Sequence, residues 1–228
     1  MTISYDDIVP WGRNYEEYCR MFALTAVELE KRILGCGDGP ASFNATGNAR
    51  GGDIISVDPL YAFSKEQIER RINETYENVI AQTRLNRDRF LWNHFSSVDE
   101  LGRVRMAAMR EFLATYEEGK TAGRYVAGAL PSIGFPDGCF DIALSSHFLF
   151  LYSDNLSYEF HVESITEMLR VAREVRIFPL VDVNAVKSDY VDRVLSHFSG
   201  IPVEVRKVEY EFQLGGNEMM VISRPQHV

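Results

Sequence analysis

The residues with the clearest chemical meaning are Gly35, Gly37 and Gly39, set at alternate positions where the apolar run Ile33-Leu34 gives way to Pro40. Glycines so placed let the main chain turn sharply and let a ligand lie against bare backbone. Proline at the expected start of the next helix, and the unpaired N–H groups of that helix end, make this a strand–turn–helix junction. A second short apolar run, Ile54-Ile55-Ser56-Val57, ends on Asp58. A carboxylate at a strand end can accept two hydrogen bonds from a ribose diol, so loop and acid together form the basic kit for an adenosine-containing cofactor. The dinucleotide fingerprint G-x-G-x-x-G/A is not met: its third position falls on Pro40 counted from Gly35, and on Ser42 counted from Gly37. A bound pyrophosphate is therefore disfavoured, and no G-x-x-x-x-G-K-[ST] loop is present.

The elements that must position these residues can be read from periodicity. Residues 14–31 carry Tyr15, Tyr18, Cys19, Phe22, Ala26 and Leu29 at helical spacing, with Asn14 and Glu17 as a capping box. Residues 64–119 lack strand signals and begin helices at Ser64 with Gln67 and at Ser97 with Glu100. Strand signals return at 124–130, 140–145 and 175–181, with helices expected over 158–173 and 187–198. Val203, Val205, Val208, Tyr210, Phe212 and Leu214 alternate apart from a slip at Arg206-Lys207. Gly215-Gly216-Asn217 and the apolar run 219–222 follow, which predicts a β-hairpin with a glycine-rich turn. The alternation of strands and helices implies a mainly parallel sheet covered on both faces, with at least one antiparallel strand at the C-terminal end.

In this order the motifs resemble those of class I S-adenosylmethionine-dependent methyltransferases. Leu34-Gly35-Cys36-Gly37-Asp38-Gly39 is similar to the family's first motif and Val57-Asp58 to its second. Phe135-Pro136-Asp137-Gly138-Cys139-Phe140-Asp141, with the apolar run 142–151, is similar to its fourth strand and the loop before it. The resemblance implies an α/β fold with a Rossmann-like, seven-stranded, mostly parallel sheet, a C-terminal antiparallel hairpin, and here a helical insert between strands 2 and 3. One domain would span 1–228, with 14–63 and 122–228 as core and 64–121 as the insert, a lid or substrate platform. The resemblance also implies S-adenosylmethionine as cofactor. Gly35, Cys36 and Gly37 would line its methionine and ribose, Asp58 would hold the ribose hydroxyls, and Pro59 and Leu60 would lie against the adenine. Ala129 and Leu130 would border the adenine's other edge, and Ser145 would lie near the sulfonium. Two positions depart from the family pattern: Ile33 stands where an acid usually precedes the first glycine, and Gly128-Ala129-Leu130-Pro131 lacks the acid often found beside the adenine.

Methyl transfer from a sulfonium is a direct displacement in which the protein mainly aligns the reacting atoms. A base helps where the acceptor is a hydroxyl or a protonated amine. His147, after Ser145-Ser146 at the expected mouth of the cleft, is the candidate base, because imidazole ordinarily titrates near neutrality. The alternative is a histidine packed beneath the lid. His94 on the insert is a second candidate or a helix-end residue, and His161 is expected to be exposed on its helix. Tyr5, Trp11, Tyr15 and Tyr18 can close over the sulfonium as a cation–π wall, and Arg13 can meet the cofactor's carboxylate. The alternative is that this segment docks on the sheet edge with Arg13 solvated.

Composition narrows the classes further. Three cysteines without a C-x-x-C pair or a Cys/His cluster exclude a disulfide framework and predict no metal site. No apolar run is long enough to cross a bilayer, and the N-terminal residues do not read as a signal peptide; the expected location is the cytoplasm and no membrane partner is expected. A net charge of −9 lowers the expectation of a nucleic-acid partner. Arg84, Arg87, Arg89, Arg103, Arg105 and Arg110 lean the other way, as a solvated helix face or a patch for an anion. The expected function is therefore a methyltransferase acting on a small molecule. The alternatives are a non-catalytic partner protein that keeps the fold, supported by Ile33 and Ala129, and a protein methyltransferase that reads its target through the insert.

Overall fold

The computed structural model describes residues 9–225. Its sheet has seven strands: β1 (Arg32–Cys36), β2 (Asp53–Asp58), β3 (Tyr125–Ala127), β4 (Phe140–Ser146), β5 (Ala172–Phe178), β6 (Val203–Lys207) and β7 (Glu218–Ser223). They are arranged in the order β3-β2-β1-β4-β5-β7-β6. The first five run parallel, while β7 pairs antiparallel with both β5 and β6. This is the class I methyltransferase-like fold that the motifs implied. Strand order reverses between β1 and β4, which places the natural ligand crevice at the carboxyl ends of those two strands.

The pleat divides the apolar residues between two faces. Leu34 and Cys36 of β1 enter one core with Ile165 and Met168 of α6 (Tyr158–Val171) and Val191 and Val194 of α7 (Tyr190–His197). Ile33 enters the other, with Tyr18 of α1 (Tyr15–Met21) and Phe43 of α3 (Phe43–Ala49). The single helix expected over 14–31 is broken. Ala23 takes a left-handed φ of 47°, and Thr25 starts a separate capping box with Glu28 for α2 (Ala26–Leu29).

Between β2 and β3 lie α4 (Lys65–Leu85) and α5 (Val98–Thr121). Gly102 of α5 lets Tyr76 of α4 approach: a Cβ there would stand 2.4 Å from the tyrosine hydroxyl. The buried face of α5 brings Phe112 and Tyr116 against Tyr61 and Tyr125, so the insert is rooted on the β3 edge of the sheet. Its arginines do not form one patch. Arg84 pairs with Asp99 and Arg87 lies over the Trp92 ring, while Arg105 is buried in an ion pair with Glu17 of α1.

The C-terminal hairpin is shorter than its sequence alternation predicted. Pairing ends at Lys207 opposite Glu218. The segment between them leaves the sheet for the insert, where Leu91 N donates to Phe212 O and Leu214 N to Arg89 O. Tyr210 and Phe212 alternate because they are core residues of that excursion, not because they lie in a strand. Among the described residues, no helix is long and apolar enough to cross a membrane.

Candidate functional site

A cavity of about 640 Å3 opens at the carboxyl ends of β1 to β4. Its floor is the glycine loop. Gly37 and Gly39 adopt left-handed φ values of 71° and 52°, and a Cβ on Gly37 would press to 3.1 Å from the Phe148 ring. Asp58 closes β2 and faces the cavity with a carboxylate fixed by main chain: Gly39 N donates to Oδ2 at 2.8 Å and Leu60 N to Oδ1 at 2.7 Å. Each oxygen keeps lone-pair capacity for a further donor. Burial raises the Asp58 pKa, and these two N–H groups oppose the rise. Pro59 and Leu60 line the same side, and Gly128, Ala129 and Leu130 line the facing edge after β3.

Against the loop lies an acid for which sequence reasoning offered no role. Asp38 accepts from Tyr18 Oη at 2.9 Å and from Ser56 Oγ at 2.6 Å. Its carboxyl occupies the room that Gly35 leaves: a Cβ on Gly35 would stand 1.8 Å from Asp38 Oδ2. Burial lifts the Asp38 pKa to about 6, against its two hydrogen bonds and with help from nearby Asp58. Position 33 holds an apolar core residue, yet a buried carboxyl group stands against the loop all the same. The signal available in sequence was an acid between two glycines of the loop.

Three expected lining residues are placed elsewhere. Gly35 is inside β1 and is needed for Asp38. The Cys36 side chain is in the core, and burial pushes its thiol well up. Ser145 is fully buried, its Oγ without a hydrogen-bond partner. Successive strand residues point to opposite faces, so it is Ser146, not Ser145, that lines the cavity. Gly37, Asp58, Pro59, Leu60, Ala129, Leu130 and His147 all reach it.

His147 follows the end of β4 with a left-handed φ of 51°, a conformation that costs a non-glycine residue energy and is found disproportionately at functional sites. Its main-chain N donates to Phe178 O at 2.6 Å, and Nδ1 lies 3.0 Å from Ser146 Oγ. Burial drives its pKa well below the ordinary value, and Arg13 and Arg105 push the same way, so the imidazole is neutral at physiological pH.

A further part of the lining is the segment before α1, which packs on the loop: Ser42 N donates to Arg13 O at 3.0 Å. Trp11 and Arg13 line the cavity, as does Tyr18. Arg13 Nη1 donates to Trp11 O at 2.8 Å, but Nε is buried without a partner. Burial, and then Arg105, lower the Arg13 pKa to about 10, so it remains charged. The one carboxylate within this group, Glu17, is bound by Arg105 and by Tyr210 Oη at 2.8 Å. Two guanidiniums thus share one acid, and the excess positive charge is at the cavity wall. Tyr15 instead packs on Phe43 with Arg50 over its ring, and Tyr5 lies outside the described residues. His94 stacks on Tyr210 away from the cavity, and His161 is buried, not exposed, with Nδ1 2.7 Å from Ser157 O.

Gln67, Arg70, Arg71 and Glu74 of α4 line the cavity as one polar stripe at helical spacing, with buried Ile68 beside them. Among the described residues, no cluster of His, Cys, Asp and Glu can hold a metal ion.

No family model matches the chain. Over 223 residues it is 35% identical to the uncharacterized protein MJ0045 of Methanocaldococcus jannaschii, spanning 97% of this chain and 99% of that one. The chain belongs to the family of MJ0045. Among solved structures it is similar to a TehB-like SAM-dependent methyltransferase from Corynebacterium glutamicum, with 13% identity and a TM-score of 0.47 over 92% of this chain and 88% of the other. It is also similar to TrmN from Thermus thermophilus, with 12% identity and a TM-score of 0.46 over 92% of this chain and 52% of that one. The strand order, not these distant likenesses, defines the fold.

Proposed function

We propose that this protein binds S-adenosylmethionine in the large cavity and transfers its methyl group to a small-molecule acceptor. The observation that carries the reading is the presence of opposite charges in the lining of one cavity: the Asp58 carboxylate, aimed by two N–H groups, and Arg13, charged and incompletely bonded. The residues fit the cofactor. Asp58 suits the ribose hydroxyls, Pro59 and Leu60 suit one face of the adenine and Ala129 and Leu130 its edge, while Arg13 suits the carboxylate. When bound, the cofactor supplies a methyl group activated by its sulfonium. Trp11, Phe148 and α4 screen the site from water. His147 is the cavity residue placed to receive the proton that an acceptor O–H or N–H gives up, although burial and the two arginines oppose its protonated form until that proton and the cofactor's charge are redistributed.

A small acceptor is favoured over a protein target because the site is a cavity and two of the insert's arginines are paired within the fold, Arg105 with Glu17 and Arg84 with Asp99. The deciding measurement is thermal unfolding with S-adenosylhomocysteine, with NADH and ATP as controls. Ligand at about 100 times its dissociation constant should add roughly 2.7 kcal/mol of stability. A shift with S-adenosylhomocysteine alone is expected. No shift would overturn the reading in favour of a non-catalytic member of the fold.

A further inference from the structure

A second cavity, of about 90 Å3, adjoins the first. Val9, Trp11, Arg13 and His147 border both, so these residues form the partition between them. None of the glycine loop, Asp58 or the residues after β3 reaches the small cavity. Its walls come from three separate places. Val79 of α4, Leu101 of α5 and Phe90 belong to the insert, Leu151 and Val183 follow β4 and β5, and Phe212 belongs to the excursion between β6 and β7. Phe90 and Phe212 stack with ring centres 4.8 Å apart.

The polar side chains in these walls are largely engaged. Thr83 Oγ1 donates to Val79 O at 2.8 Å, and Gln213 Nε2 donates to Asp182 O at 3.0 Å. Apart from the residues shared with the large cavity, the walls are mainly apolar, with Thr83, Tyr152 and Gln213 set among Val79, Phe90, Leu101, Leu151, Val183 and Phe212. An engineered cavity of about 150 Å3 holds benzene, so this one takes a smaller group, of roughly four or five carbons.

We propose that the small cavity is the acceptor subsite: it seats a compact apolar group of the methyl acceptor and thereby holds the acceptor's O–H or N–H at His147. The acceptor is accordingly a small amphiphile with a short branched or cyclic hydrocarbon end. The assignment rests on the cofactor reading of the large cavity, but its volume and walls do not.

Isobutanol is a suitable probe, titrated into protein labelled at its Ile, Leu and Val methyls, with and without S-adenosylhomocysteine. Saturable shifts are expected at the Val79, Leu101, Leu151 and Val183 methyls. Val183→Phe, which fills the small cavity from a residue outside the large one, should weaken isobutanol at least tenfold and leave S-adenosylhomocysteine affinity within twofold. If that variant does not fold, Val79→Met reads the same effect. Absence of saturable shifts, or a filled variant that binds isobutanol as well as the parent, overturns the proposal. Isobutanol binding in a protein that does not bind S-adenosylhomocysteine would keep the small cavity as a ligand site but remove its role as an acceptor subsite.

Discussion

The two walls of the large cavity are built in different ways. The wall on the glycine-loop side is local and largely main chain: the Asp58 carboxylate is held by Leu60 N two residues on and by Gly39 N in the adjoining loop. The wall bearing Arg13 is braced by distant side chains, with Glu17 bound by Arg105 of the insert and by Tyr210 of the C-terminal excursion. They also differ in sign. Asp38 and Asp58 make one side acidic, while Arg13 and Arg105, against Glu17 alone, make the other cationic. The first wall is fixed as soon as β1 and β2 pair; the second exists only when three remote segments meet.

Breaking the second wall should have the largest effect. Glu17→Gln leaves two buried guanidiniums without an acid and should cost about 3–5 kcal/mol, read by urea unfolding. A loss near 1 kcal/mol would mean that the assembled wall is no more demanding than the local one. On the acidic side the test is pH. The folded-state pKa of Asp38 is raised to about 6, above an ordinary aspartate near 3.9. Its contribution to stability is therefore fully present below about pH 4 and is lost as pH rises through about 6, amounting to about 3 kcal/mol. Asp38→Asn should flatten that part of the stability profile relative to the parent, and an unchanged slope would assign it to other groups. A sharper contrast comes from ligand binding. Asp58→Ala and Arg13→Met should each weaken S-adenosylhomocysteine by about 1.5–3 kcal/mol in calorimetry. Only Arg13→Met should raise the melting temperature of the ligand-free protein, because it removes a desolvated cation with no acid of its own.

The same contrast governs what could be read from the sequence. That Gly37, Asp58, Leu60 and Leu130 line the cavity was legible because they stand at or just beyond strand ends, which local composition marks. Ser145 was misplaced by one residue. An apolar run shows where β4 lies but not which parity of its pleat faces the crevice, which depends on how β4 registers with β1. The insert was visible as helices, whereas the burial of Arg105 was not, since an arginine on an amphipathic helix reads as solvated until its partner is known. Tyr210 and Phe212 alternated like strand residues because a chain packed against a core also alternates. The single helix over 14–31 failed at Ala23, where no glycine or proline signals the break.

The bond from Tyr210 to Glu17 spans almost the whole chain. During synthesis the glycine loop and Asp58 emerge early and can pair as soon as β2 is free of the ribosome. The wall bearing Arg13 waits for Arg105 and then for Tyr210. A nascent chain therefore carries only part of the cavity lining for most of its synthesis, and a product truncated before residue 210 would leave Glu17 without the Tyr210 hydroxyl.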